Sequence, residues 1–129
     1  ARGVSLYAAL ATLGRSGIAE VVERCCRHAR RFAERLRTEP GVEVLNDVVL
    51  NQVLVRFLAL GGGSADHDAR TRAVIAAVQD DGTCWVGGSV WRGQAVMRIS
   101  VSNYATNEVD VERSADAIVG ALRSLDRAQ

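Results

Sequence analysis

From Cys84 to Trp91 and again from Ala95 to Ser102 the chain reads as two strands, joined at Arg92-Gly93-Gln94 in a tight hairpin where Gly93 supplies the positive φ. On the second strand Met97, Ile99 and Val101 alternate with Val96, Arg98, Ser100 and Ser102. Successive side chains point to opposite faces of a strand, so only one of these sets can meet a core. The apolar set belongs against helices, which leaves Arg98, Ser100 and Ser102 on the other face. On the hairpin partner one alternating set is Trp85, Gly87, Ser89 and Trp91, and the register between the two strands is left open. Such a pattern demands a sheet with one covered and one uncovered face. From spacing alone Arg98 reads first as a cross-strand surface residue, paired with an acid or solvated.

The rest of the chain supplies the cover. Residues 3–13 read as a short helix that Gly14 ends, and Ser16 can cap a longer one from Gly17 to Arg37. That second helix repeats apolar residues at Ile18, Val21, Val22, Cys25, Ala29, Phe32, Ala33 and Leu36. Its other face sets Glu20 before Arg24 and Glu23 before Arg27, and the arginines from Arg27 to Arg35 read as a solvated face interleaved with acids. Pro40-Gly41 stops it. Val42 to Leu45 is a short strand, and Asn51 to Leu60 a longer one with Val53, Val55 and Phe57 on one face. Gly61-Gly62-Gly63-Ser64 reads as a flexible connection, since no phosphate-loop lysine follows it. A helix over Asp66–Asp81 places Thr71, Val74, Ile75 and Val78 inward and closes at Gly82. The last helix starts near Asn107 with Asp110 as capping-box partner, and turns Val111, Ala115, Ile118, Val119 and Leu122 inward. The expected architecture is α+β: a four-stranded antiparallel sheet, ββαββα, with helices packed on one face, preceded by a short and a long helix. It forms a single domain over 1–129, with a helical lead-in over 1–38 and an α+β core over 42–126.

At 129 residues one domain buries about two-thirds of its unfolded surface. Sixteen arginines against fifteen acids leave a charge of +1, without the cationic excess of a nucleic-acid footprint. No apolar run is long enough for a membrane span, and the first residues are no signal peptide. The start without Met, already helical, suggests a piece of a longer protein. Cys25, Cys26 and Cys84 lack metal-ligand spacing and read as reduced, buried small hydrophobes in a cytoplasmic protein. His28 and His67 read as surface or helix-end residues. All sixteen cations are arginine; there is no lysine.

In order along the chain, Leu10-Ala11-Thr12-Leu13-Gly14-Arg15-Ser16-Gly17, Asn51-Gln52-Val53-Leu54-Val55-Arg56-Phe57, Asp81-Gly82-Thr83, Arg92-Gly93 and Arg98-Ile99-Ser100-Val101-Ser102-Asn103, with Thr106 and Asp110, form a signature. It resembles the C-terminal domain of the group II pyridoxal-phosphate (PLP) dependent amino-acid decarboxylases, the glutamate and aromatic amino-acid decarboxylase family. The resemblance implies a small domain beside the large PLP-binding domain of a fold-type-I homodimer. It also implies that the arginine of the last strand, here Arg98, meets the carboxylate of an amino-acid substrate. The Schiff-base lysine, the acid on the pyridinium nitrogen and the ring-stacking histidine belong in that family to the large domain. The expectation is therefore a fragment that orients substrate, helps close the active site, binds no cofactor or metal of its own, carries no catalytic residue and is inactive alone. The other reading open from sequence is a stand-alone α+β module that dimerises through its bare sheet face.

Overall fold

The computed structural model describes residues 2–47, 51–84, 86–101 and 107–128, with only the backbone given for 2–13 and 128. Its elements are α1 (Arg2–Arg37), β1 (Val42–Val44), β2 (Gln52–Phe57), α2 (Ser64–Asp81), β3 (Gly87–Trp91), β4 (Gln94–Ser100) and α3 (Glu108–Ala128). The four strands form one antiparallel sheet in the order β1-β2-β4-β3. This is the expected α+β arrangement. The expected break between two leading helices is a kink within α1, where Gly14 takes φ 69° and ψ −174°. A positive φ of this kind is open to glycine without steric cost.

Most residues that the periodicity marks are buried; Val22, expected on the apolar stripe of α1, is 54% exposed because the inward positions there fall to Cys25 and its i+4 and i+7 neighbours Ala29 and Phe32. Val53, Val55 and Phe57 of β2 and Met97 and Ile99 of β4 enter one core with Cys25, Ala29, Phe32, Ala33 and Leu36 of α1. Helix α2 adds Thr71, Val74, Ile75 and Val78, the four residues its spacing selects, and Gly82 ends it at φ 79°. At the start of α3 the Asn107 side chain accepts from the Asp110 N–H, and the Asp110 carboxylate accepts from the Asn107 N–H, which completes the expected capping box. Helices α1 and α2 lie against the sheet, and α3 packs on both of them. Among the described residues no helix is long and apolar enough to cross a membrane.

Several local expectations are corrected. Arg31 and Arg35, expected on a solvated face, instead reach Glu112 and Asp116 of α3. Both partners advance by four residues, so α1 and α3 run parallel there, and Arg123 to Glu39 continues the series. His28 is no surface residue. It lies three positions from Cys25 and four from Phe32, on the buried stripe of α1, with Nε2 lacking a hydrogen-bond partner among the described residues. Cys26 is half-exposed, because its neighbour Cys25 takes the inward position. The Gly61–Ser64 stretch is a built turn rather than a slack link. A Cβ at Gly62 would sit 2.8 Å from the Asp66 Cβ, and the Gly63 N–H donates to the Asp66 carboxylate.

Strand β2 ends at Phe57, three residues before its apolar run does, and the reason is chemical. Its pairing with β4 stops at Val55↔Met97. The next hydrogen-bonded rung would join Phe57 to Ala95, and side chains replace it. The Ala95 N–H donates to Asp68 Oδ1 at 3.0 Å, and the Ala95 carbonyl accepts from Arg56 Nη1 at 3.2 Å. The Phe57 N–H donates to the Thr71 hydroxyl, which passes its own proton to the His67 carbonyl at 2.8 Å. Arg56, almost wholly buried, also meets Asp68 at 2.7 Å and both oxygens of Ser64. Buried backbone groups must find partners, and here α2 provides them.

Arg56→Ala strands Asp68 and the Ala95 carbonyl, and is expected to destabilise the fold by on the order of 3 kcal/mol in urea titration. The Ala95 N–H, and after it the Arg56 guanidinium, hold the Asp68 carboxyl below its ordinary 3.8. A depressed folded-state pKa gives stability that is present above the ordinary value and lost as pH falls through the lower one. Acid titration should therefore show a stability loss below about pH 4 that is weaker in Asp68→Asn, which keeps an acceptor for Ala95.

Candidate functional site

Among the described residues the helix core packs on the face of the sheet that carries Val53, Val55, Met97 and Ile99, and β4 is one of the two inner strands. Register places Arg98 of β4 between Leu54 of β2 and Gly87 of β3. The same face carries Ser100 opposite Gln52, Val96 opposite Ser89, and Gln94 opposite Trp91. Gly87, Ser89 and Trp91 thus share the face of Arg98, as their alternation suggests; Trp85, Ser102, Asn103 and Thr106 lie outside the described residues. Arg98 and Ser100 are exposed while Met97, Ile99 and Val101 are buried. Val96 is fully buried although it sits on the uncovered face.

The hairpin that aligns β3 with β4 is tighter than its sequence suggests. Gln94 is already in the strand, opposite Trp91, so the loop has two residues. Such a loop needs positive φ at both, and Arg92 (51°) accompanies Gly93 (76°) in the left-handed region. The strain at Arg92, on the order of 1 kcal/mol, is offset in part by its guanidinium stacking 4.3 Å from the centre of the Trp91 ring.

The other polar members of the signature serve the backbone. The Asn51 amide donates to the Val101 carbonyl, whose own N–H returns to Asn51, extending the β2–β4 ladder by one pair. Arg56 closes the far end of that ladder, Asp81 accepts from the Thr83 N–H, and Asp110 caps α3. Arg98 is exposed and has no hydrogen bond or ion pair among the described residues, so of the two surface readings, an acid partner or solvation, it is solvation that agrees with them. An unpaired guanidinium on a central strand can present parallel N–H donors to a planar anion.

Other chemistry is poorly served. Burial pushes the Cys25 and Cys84 thiols up, which removes the thiolate that a nucleophile needs. His67 spends Nδ1 accepting from the Ala59 N–H. No group of three or more His, Cys, Asp or Glu among the described residues could hold a metal ion. A trough of about 1040 Å³ between the 58–62 turn, α2 and the end of α3 does not include Arg98, and its Arg70 is paired with Asp126.

No protein-family model matches the chain, and no curated protein does. Solved structures do. The chain superposes on Oryza sativa TDC with PLP and tryptamine at TM-score 0.83, with 22% identity, over 96% of this chain and 27% of that one. Catharanthus roseus tryptophan decarboxylase in complex with L-tryptophan gives 0.80, with 19% identity, over 93% and 25%. Mouse CSAD in apo form gives 0.74, with 18% identity, over 93% and 26%. The fold is thus that of part of these decarboxylases, in accord with the resemblance read from the signature. The chain spans about a quarter of their length.

Arg92→Val, a β-branched residue at positive φ, should cost about 1–2 kcal/mol, while Arg92→Gly stays within about 1 kcal/mol of the parent. Chemical denaturation followed by tryptophan fluorescence checks both.

Proposed function

We propose that this chain is the C-terminal part of a PLP-dependent amino-acid decarboxylase, in which Arg98 binds the substrate carboxylate and the uncovered sheet face turns toward a separate cofactor-binding domain. One observation carries the reading. An arginine without a partner among the described residues stands exposed at the middle of a bare sheet face, in a fold shared with tryptophan decarboxylase.

The donor set of this chain does not fit covalent tethering of pyridoxal phosphate. The sequence has no lysine, and the uncovered face presents Arg98, Ser89, Ser100, Gln52 and Gln94, none of them an amine. The cofactor and the bond-breaking chemistry belong, on this reading, to the remainder of a fold-type-I homodimer, and the chain alone is inactive. What Arg98 contributes is orientation. A guanidinium fixes the plane of a carboxylate through two charge-assisted bonds, each on the order of 1.5–3 kcal/mol when sheltered from water. The carboxylate loses its charge as carbon dioxide leaves, so this grip is stronger in the ground state than in the transition state. Arg98 therefore sets the direction of the bond to be broken and lends little to its breaking.

In the full-length protein Arg98→Ala should raise KM roughly ten- to a hundredfold, with Arg98→Lys between it and the parent, because an ammonium supplies charge without fixing the plane. Bound pyridoxal phosphate, read by absorbance, should be unchanged in both. Parental kinetics in both variants would remove Arg98 from the site. A start codon at Ala1 in the coding sequence would overturn the fragment reading altogether.

A further inference from the structure

Gly87 and Gly88 stand side by side in β3, and neither has the positive φ that calls for glycine. Glycine inside a strand weakens it and is kept where something must come close to the backbone. On the helix side, a Cβ at Gly88 would meet Ile75 Cδ1 at 3.7 Å, an ordinary contact. On the uncovered side, a Cβ at Gly87 would lie 3.5 Å from Arg98 Nη2 and 3.9 Å from Nε. These two nitrogens, and not the Cζ that joins them, are the nearest described atoms. The guanidinium therefore turns its Nε–Nη2 edge, rather than its flat face, toward the place where residue 87 has no side chain.

That edge carries two parallel N–H donors, the fork that grips a carboxylate. On the other flank the cross-strand neighbour is Leu54, whose side chain is half-buried and offers no polar atom. Residue 87 is thus the cross-strand position that decides whether the fork stays free. We propose that Gly87 is a positioning residue for the carboxylate site: by lacking a side chain it leaves the Nε–Nη2 edge of Arg98 open to substrate. The inference rests on the reading of Arg98 as the carboxylate-binding group, and it adds the strand and the residue that keep that group unblocked.

The test uses the full-length, PLP-loaded protein, with carbon dioxide release from L-tryptophan, L-glutamate and L-2,4-diaminobutyrate as probes. Gly87→Asp places a carboxylate against the fork. It should raise KM about tenfold or more with kcat little changed, a split that a general loss of structure does not produce. Gly87→Ala, whose methyl would stand 3.5 Å from Nη2, should raise KM in the same direction by a smaller factor. In an Arg98→Ala background Gly87→Asp should add nothing, since the fork it blocks is gone. Should Gly87→Asp fail to fold, Gly87→Val, a good strand former, carries the test with the same expected direction. If Arg98→Ala raises KM while the folded Gly87 variants stay within about twofold of the parent, the role of Gly87 is overturned and that of Arg98 stands. If Arg98→Ala itself leaves KM unchanged, the reading beneath is overturned. Release of carbon dioxide from none of the probes overturns both.

Discussion

Where the β2–β4 ladder runs out, the fold is held by side chains instead of backbone. Arg56, Asp68 and Thr71 take up the amide and carbonyl groups that a further rung between Phe57 and Ala95 would have used. The arrangement does more than satisfy those groups. It fastens the first turns of α2 to the middle of the sheet, so that Val74, Ile75 and Val78 come down on Met97 and its neighbours. It also sets the start of β4, the strand whose register with β2 and β3 places Arg98. A buried arginine and its acid are costly to desolvate, and they persist here because each of their contacts closes a backbone vacancy that would be costly as well.

This accounting separates two kinds of polar residue. Asn51, Arg56, Asp81 and Asp110 all stand in the signature that links the chain to decarboxylases, and all are occupied with the main chain. They make the sheet and its connections. Arg98 makes no such contact among the described residues, and its two cross-strand neighbours, Leu54 and Gly87, are half-buried. Arg98 is exposed, so water can solvate its guanidinium and its donors remain available to a ligand. On the proposed function that ligand is a substrate carboxylate, and the proposed role of Gly87 is to leave the approach clear.

The division of labour that follows is between holding and reacting. This domain offers rigid orientation from a central strand, which positions more accurately than a loop would. The sequence has no lysine, and no group among the described residues could hold a metal ion, which is why the proposed function gives this chain orientation and not bond breaking.

Periodicity by itself determined the element order, the inward residues of β2, α2 and α3, the end of α2 at Gly82, the start of α3 near Asn107 and the face on which Arg98 stands, while α2 begins two residues before the expected Asp66. These are local properties, set by alternation along a strand, by the helical repeat and by glycine or capping side chains near each end. It could not show that Arg31 and Arg35 would choose acids on α3 over acids on their own helix, because helix–helix direction is not written in either segment. Nor could it show His28 buried, since a lone polar residue on an apolar stripe reads either way. Arg56 looked like one more strand cation, and Arg92 like an ordinary turn residue. The shortened β2, the side-chain rung and the meeting of Gly87 with the fork of Arg98 arise only when strands far apart in sequence are brought into register. Tertiary packing decided those, because unpaired backbone groups and guanidinium edges find their partners through space and not along the chain.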